Sequence, residues 1–423
     1  MNKKVEIVDY IMGTGKSTEC FNWINSNPNE KYIYVSPNLS EVGINGRIHK
    51  EILSTEFISP NISEHDTKGE HLTKLLESGM NIACTHNLYL NMTKYHFELV
   101  AKNNYIIILD EEIEVIKSYG VYSTSDINYL IDKGDIEINE KDGAINWIGN
   151  HQSVEDYEHK YFKLKNLCDK RALYLNKGLS AKKNILISHI PLELLYSAKR
   201  VIVITYMFKG SVLDCFLRLK GIESIMCKDI IPTKNRKPSD YKDLITLIPP
   251  NKKTIDLKMS ATWWKELTDN DRKSVNSISN LVMNTAKAYN IEAKDLLYTC
   301  PKDNAQGISN IKTIKLNPKG YVKYINDDGI TKHTWLSVHT RATNDYSDKK
   351  MVAHCYNRFP LQPIKVYLQS YGFPIDEERY AISSLLQFVW RSQIRKDLPI
   401  ILLIANERMY RLFVEWMNGK FDC

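Results

Sequence analysis

No run of 18 apolar residues occurs anywhere in this 423-residue chain, so no membrane-spanning helix is expected. The first residues pass directly into a strand pattern, and no secretory leader is expected ahead of it. Eight cysteines are scattered without a Cys-x-x-Cys pair or metal-ligand spacing. They read as reduced thiols of a cytoplasmic protein, most of them core filler. Internal repeats and low-complexity tracts are absent as well, which excludes solenoids and disordered arrays. Charge of either sign is only slightly in excess: 57 Lys and Arg against 50 Asp and Glu give +7. That balance is compatible with a polyanionic partner without requiring one.

What is present is a globular composition, 43% hydrophobic and 25% charged, in a chain long enough for two or three domains. Its 25 tyrosines and 7 tryptophans offer stacking surfaces for unpaired bases, although most are expected to fill cores and edges. The most informative segment comes early. The β-branched run Val5-Glu6-Ile7-Val8-Asp9 leads through Tyr10 and Ile11 into Met12-Gly13-Thr14-Gly15-Lys16-Ser17-Thr18, which opens a helix. Strand, Gly-x-Gly-Lys-Ser and helix in this register form a phosphate cradle. The glycines admit backbone N–H groups to phosphate oxygens, Lys16 reaches the β- and γ-phosphates, and Ser17 ligates Mg²⁺. Tyr10 stands where the full fingerprint has glycine.

A partner lies far downstream. Tyr105-Ile106-Ile107-Ile108-Leu109 is a continuous apolar run, the pattern of a central parallel strand, and it ends in Asp110-Glu111-Glu112. Asp110 is placed to hold Mg²⁺ and Glu111 to polarise the attacking water. Together with the cradle, this carboxylate pair predicts binding and hydrolysis of a nucleoside triphosphate.

Strand and helix alternate through the first 115 residues, as βαβ units with a parallel sheet require. Residues 120–190 break that rhythm: a hairpin is expected around Lys141-Asp142-Gly143 and a helix over 154–176. This stretch reads as an α+β insertion whose Lys160, Lys163, Lys165, Lys170 and Arg171 form a solvated face or phosphate contacts. The first domain resumes near Val201, and the segment 232–242 reads as a linker. A second α/β pattern follows, giving a first lobe over 1–235 and a second over 236–423. In the second, the helix carrying Gln387, Arg391 and Arg395 places both arginines on one face, where they supply charge to a triphosphate. Met259-Ser260-Ala261-Thr262-Trp263-Trp264 reads as second-lobe structure, with the two tryptophans as candidate stacking residues.

These motifs resemble those of superfamily 2 helicases, in particular phage-encoded DEAD/DEAH-like DNA helicases distantly akin to viral origin-binding helicases. Met12 to Ser17 is similar to their first motif and Val35-Ser36-Pro37-Asn38-Leu39 to the next. Cys84-Thr85-His86-Asn87 is similar to a Thr-Thr-His segment, and Asp110-Glu111-Glu112-Ile113 stands at the DEAD/DEAH box. Thr205-Tyr206-Met207 occupies the Ser-Ala-Thr position, Arg341 to Tyr346 the fifth motif, and Gln387 to Arg395 the sixth. The chain departs from the family where Trp390 replaces a glycine of the sixth motif and the second arginine falls one place late. Arg391 aligns with the first arginine and is favoured as the finger. The upstream glutamine that reads adenine has no counterpart.

The resemblance implies two RecA-like P-loop lobes with parallel sheets and an ATP-dependent helicase or translocase acting in phage DNA replication or recombination. It implies ATP and Mg²⁺ as cofactors, with nucleotide contacts from Met12, Gly13, Thr14, Gly15, Lys16, Ser17 and Thr18. Catalytic roles go to Lys16, Glu111, Gln387, Arg391 and Arg395, and metal contacts to Ser17 and Asp110. Nucleic-acid contacts go to Pro37, Thr85, His86, Tyr206, Thr343 and Asn344. Partners are single-stranded or forked DNA, with RNA the alternative, and replication proteins of the host cytoplasm. Two rival readings are a packaging-type, terminase-like ATPase and a nucleotide-gated loader without unwinding activity. The first lacks support in 240–423, which holds no clustered nuclease carboxylates.

Overall fold

The computed structural model describes residues 4–62, 66–140, 143–149, 159–170, 172–176, 183–338, 340 and 345–421. Two compact units emerge, one comprising Met1–Asp9, Ser17–Ile231 and Pro360–Ile375, the other Tyr10–Lys16, Pro232–Phe359 and Asp376–Cys423.

The first unit is built on a seven-stranded sheet, every pairing of which is parallel. Its strands are β1 (Lys4–Asp9), β2 (Tyr32–Ser36), β3 (Phe57–Ile58), β4 (Asn81–Thr85), β5 (Ile106–Asp110), β11 (Arg200–Thr205) and β12 (Glu223–Met226). They lie in the order β12-β1-β11-β5-β2-β4-β3. Apolar runs make the middle of this sheet: all five residues of β2 and of β5 are buried. Each Ile or Val so enclosed contributes roughly 1.5–3 kcal/mol. Register aligns the carboxyl ends, with Asp9 opposite Thr205, Ile204 opposite Asp110, and Ser36 opposite Thr85. In open parallel sheets this edge, where the strand order reverses, is the place for ligands.

Between β5 and β11 the chain forms a second sheet from β6 (Ile116–Ser123), β7 (Ile136–Ile138), β8 (Ala144–Trp147), β9 (Ala172–Asn176) and β10 (Lys183–His189). The order is β6-β10-β9-β8-β7, with all pairings antiparallel. Helices Thr124–Asp132 and His159–Lys170 cover one face around fully buried Leu130, Leu164 and Leu186. The α+β insertion and its β7–β8 hairpin are present. The helix expected over 154–176 differs: it stops at Lys170, and Ala172–Asn176 is a strand. There Leu173 and Leu175 are buried while Tyr174 between them faces the other way, the two-residue period of a sheet. Arg171, the turn residues Lys141 and Asp142, and the side chains of Lys160, Lys163 and Lys170 lie outside what the structure describes. One helix of the chain's second half, Gln362–Ser370, belongs to this first unit: Asn176 Nδ2 donates to the Pro363 carbonyl at 3.1 Å.

The second unit carries a parallel sheet of β13 (Ile245–Ile248), β14 (Leu296–Thr299), β17 (Met351–His354) and β18 (Ile400–Ile404), in the order β13-β18-β17-β14. A hairpin of β15 (Lys323–Ile325) and β16 (Thr331–His333) turns at Gly329, where φ is +75°. Trp264 and Trp416 are fully buried. Trp264 is therefore core and presents no face to a base. Trp263 packs edge-on against it, the ring centroids 4.9 Å apart. No helix among the described residues is long and apolar enough to cross a membrane.

Candidate nucleotide site

The turn after β1 takes the shape its glycines permit. Gly13 and Gly15 have φ of +78° and +93°, a left-handed region costly for any residue with a Cβ. Thr14 Oγ1 donates to the Ile11 carbonyl at 2.8 Å. The Lys16 ammonium donates to the carbonyls of Tyr10 and, at 3.4 Å, Ile11. Both contacts are to backbone carbonyls of the loop itself. Within the second unit, which includes Tyr10–Lys16, a Cβ added at Gly13 would lie 3.5 Å from Trp390 Nε1 and 3.7 Å from the Arg395 carbonyl. Met12 is half-buried in the same turn.

Helix Lys16–Ser26 starts at the end of the loop. Within the first unit, Ser17 Oγ stands 3.5 Å from Asp110 Oδ1. β11 separates β1 from β5, so the fold carries these two residues from opposite sides of one strand. Asp110 is 8% exposed. Around it, burial first and the Asp110 charge second push the Tyr34 phenol and the Cys20 thiol well above their ordinary values. Both therefore stay neutral. Thr18 is exposed, and its hydroxyl accepts from Arg47 at 2.7 Å.

Backbone strain marks the residues that follow the strands. Glu111 has φ of +69°, and its N–H donates to the Ile204 carbonyl at 2.9 Å. A charged residue held left-handed costs free energy that tertiary contacts must offset, as functional turns do. Met207 also has positive φ, +63°. The two carboxylate oxygens of Asp9 accept from the amides of Met207 and Phe208 at 2.7 and 3.0 Å. Thr205 Oγ1 donates to Glu112 at 3.4 Å. The motif reading assigns no role to either Asp9 or Glu112. The available signal for Asp9 is a carboxylate directly after the buried Ile7-Val8 pair, at the end of the strand that enters the glycine loop.

The candidate strand-contacting residues divide. Pro37, Thr85 and Tyr206 are half-buried at the carboxyl edge of the first sheet, where Thr85 caps the helix His86–Leu90. His86 stands there too, but its Nε2 donates to the Asp110 carbonyl at 3.0 Å. Thr343 and Asn344, with Arg341 and Ala342, lie outside the described residues.

Gln387 is half-buried near the end of helix Glu377–Val389. The expectation of Arg391 and Arg395 on one helix face does not hold. The helix stops at Val389, Ser392 is extended with ψ of −175°, and Arg395 sits on a separate 3₁₀ turn, Gln393–Lys396. Arg391 is 4% exposed and donates to the Ser337 carbonyl at 3.4 Å. Arg395 is exposed and forms no ion pair among the described residues.

Comparisons with known proteins bear on both halves of the chain. Residues 239–417 match the family described as the YonV C-terminal Rossmann-like domain. A "SPbeta prophage-derived uncharacterized protein YonV" of Bacillus subtilis strain 168 is 27% identical, over 99% of this chain and all of that protein. Among solved structures, an apo XPD structure aligns with 98% of this chain and 95% of that chain, at 12% identity and a TM-score of 0.49. S. tokodaii Xpd4 aligns over 99% and 95%, at 13% identity and the same TM-score of 0.49.

Proposed function

We propose that this chain is an ATP-dependent nucleic-acid translocase of the helicase type, working on single-stranded or forked DNA in phage replication or recombination. The observation that carries the reading is the 3.5 Å approach of Ser17 Oγ to Asp110 Oδ1, beside a two-glycine loop that ends in Lys16. A hydroxyl and a carboxylate are the hard oxygen donors that Mg²⁺ takes, so the residues present fit that ion. Ser17 and Asp110 would hold it, and when bound it neutralises charge on the phosphate oxygens.

In this reading the amides of Gly13, Thr14 and Gly15 bind the phosphates, and the Lys16 ammonium exchanges its loop carbonyls for phosphate oxygens. Glu111 takes the proton of the attacking water, and Arg391 and Arg395 supply positive charge to the leaving phosphates with Gln387 beside them. Pro37, Thr85, Tyr206, Thr343 and Asn344 line the path of the strand, which is held mainly through phosphates and base faces and so is salt-sensitive. The prophage origin of the Bacillus relative supports the phage setting. Adenine is the assumed base, since no residue here is assigned to read it.

The test is the ATPase rate of wild type and Lys16→Ala, each with and without single-stranded DNA or RNA. Hydrolysis abolished in the variant and stimulated by polynucleotide in the wild type is the expected result. A Lys16→Ala protein that still hydrolyses ATP sinks the reading. The antiparallel insertion, with a core of its own, favours a second reading in which it docks a replication protein and the chain acts as a loader. ATPase activity indifferent to polynucleotide, with no strand displacement, selects the loader.

A further inference from the structure

A cavity of about 520 Å³ opens in the first unit beside the insertion sheet, lined among others by Trp147, Cys168, Tyr174, His189, Glu193 and Lys220. Its size falls within the range of sites that hold small organic ligands. The lining is chemically specific. Tyr174 on β9 and His189 on β10 pack ring against ring, centroids 4.3 Å apart. Lys220 fixes this wall from one side: its ammonium lies 4.9 Å from the Tyr174 ring centroid and donates to the Tyr174 hydroxyl at 3.2 Å. His189 is 1% exposed and backs Tyr174, so the accessible rings are those of Tyr174 and Trp147, the Trp147 indole N–H anchored on the Gly149 carbonyl at 3.0 Å. Glu193 contributes a carboxylate at the rim.

We propose that this cavity binds a nucleobase. Aromatic walls accept the π-face of any base, which is why stacking tolerates sequence. An ammonium beside the wall gives the attached phosphate a counter-charge, and a carboxylate accepts from the amino and imino groups of a base edge. The base comes from a single strand or from a free nucleotide, and the experiment separates the two. The inference rests on the chain's being a polynucleotide-stimulated ATPase, but the cavity involves none of the residues assigned to hydrolysis.

Cys168 supplies the probe. Cys20, Cys84, Cys215, Cys227, Cys300 and Cys355 are buried, whereas Cys168 is partly accessible and lines the cavity. In a Cys423→Ser protein, a maleimide should label Cys168, and saturating oligothymidylate should slow that labelling several-fold. Protection by thymidine monophosphate alone would also support the pocket and identify its ligand as a free nucleotide. Trp147→Ala should weaken oligothymidylate binding about tenfold or more, with Trp147→Phe restoring most of it and basal ATPase unchanged. Lys220→Gln should flatten the salt dependence of binding by about 0.7 in slope, the change expected when one phosphate of a single strand is no longer neutralised.

Labelling unaffected by either ligand, with Trp147→Ala binding at wild-type affinity, overturns the pocket while leaving a stimulated ATPase intact. Wild type that neither hydrolyses ATP nor binds oligothymidylate overturns the pocket and the proposed function together.

Discussion

His86 Nε2 donates to the carbonyl oxygen of Asp110 at 3.0 Å, reaching from the end of β4 past β2 to the end of β5. The acceptor is a carbonyl, so the ring carries its proton on Nε2. The contact ties His86 to the backbone of the residue whose carboxylate stands opposite Ser17, so its loss is expected to act on that carboxylate's position. His86→Ala should lower the thermal midpoint by about 2–4 °C, the effect of losing about 1 kcal/mol from a large domain. Freed from this tether, Asp110 can drift, and an ångström of misplacement costs up to about 10²-fold in turnover. Affinity for single strands should hold. A variant that loses strand binding and keeps full ATPase would return His86 to the nucleic-acid path.

Lys16 and the loop glycines make separable predictions. Lys16→Ala should reduce hydrolysis to background. Gly15→Ala should act through conformation, because φ is +93° while the nearest side-chain atom to an added Cβ, Thr233 Oγ1, is a comfortable 3.7 Å away. Left-handed strain of about 1–2 kcal/mol should appear as roughly tenfold weaker nucleotide binding, read by calorimetry with a non-hydrolysable ATP analogue. Equal affinity in the alanine variant would show that the free loop keeps the same left-handed strain as the bound one, so that it cancels in binding and appears only as lost stability.

The parts of the chain that announced themselves were those with local chemical logic. Gly13, Gly15, Lys16 and Ser17 are fixed by backbone geometry, and the buried run into Asp110 could only be a central strand. Boundaries set by tertiary contacts were less legible. The strand Ala172–Asn176 follows a lysine-rich helix without a breaker, and only its pairing with β8 and β10 separates the two. The helix after Gln387 ends at Val389 although nothing in Trp390-Arg391-Ser392 forbids continuation. The pairing of Asp9 with the Met207 and Phe208 amides joins residues nearly two hundred positions apart, and no periodicity carries that information.

The break after Val389 gives the two arginines different expected phenotypes. Arg395 is exposed, and its carbonyl lies beside Gly13, so Arg395→Ala should leave the melting curve unchanged and cut turnover about 10³-fold or more if its charge completes the site. Arg391 is buried against the Ser337 carbonyl, so Arg391→Ala should lower the thermal midpoint as well as turnover. Nucleotide affinity should change only a few-fold in either case. Full turnover in Arg395→Ala, with a stable fold, would remove that residue from catalysis.

His354, at the end of β17, is fully buried, and neither ring nitrogen has a hydrogen-bond partner among the described residues. Burial first, and the Arg358 guanidinium second, push its imidazole down to about 3. In the unfolded chain the same ring titrates near its ordinary value of about 6.5. Between those values the unfolded state binds a proton that the native ring refuses, so stability rises with pH across the interval. The contribution is complete above about 6.5 and is lost as pH falls towards about 3, at roughly 1.4 kcal/mol for each unit. At pH 5 the wild type should therefore be weaker than at pH 7 by about 2 kcal/mol from this group alone. His354→Phe keeps an aromatic ring beside Phe388, whose centroid is 5.9 Å away, and has no proton to take up. Its thermal midpoint should fall less than that of the wild type between pH 7 and pH 5. Parallel falls in the two proteins would mean that the acid sensitivity arises elsewhere and that the buried imidazole is not its source.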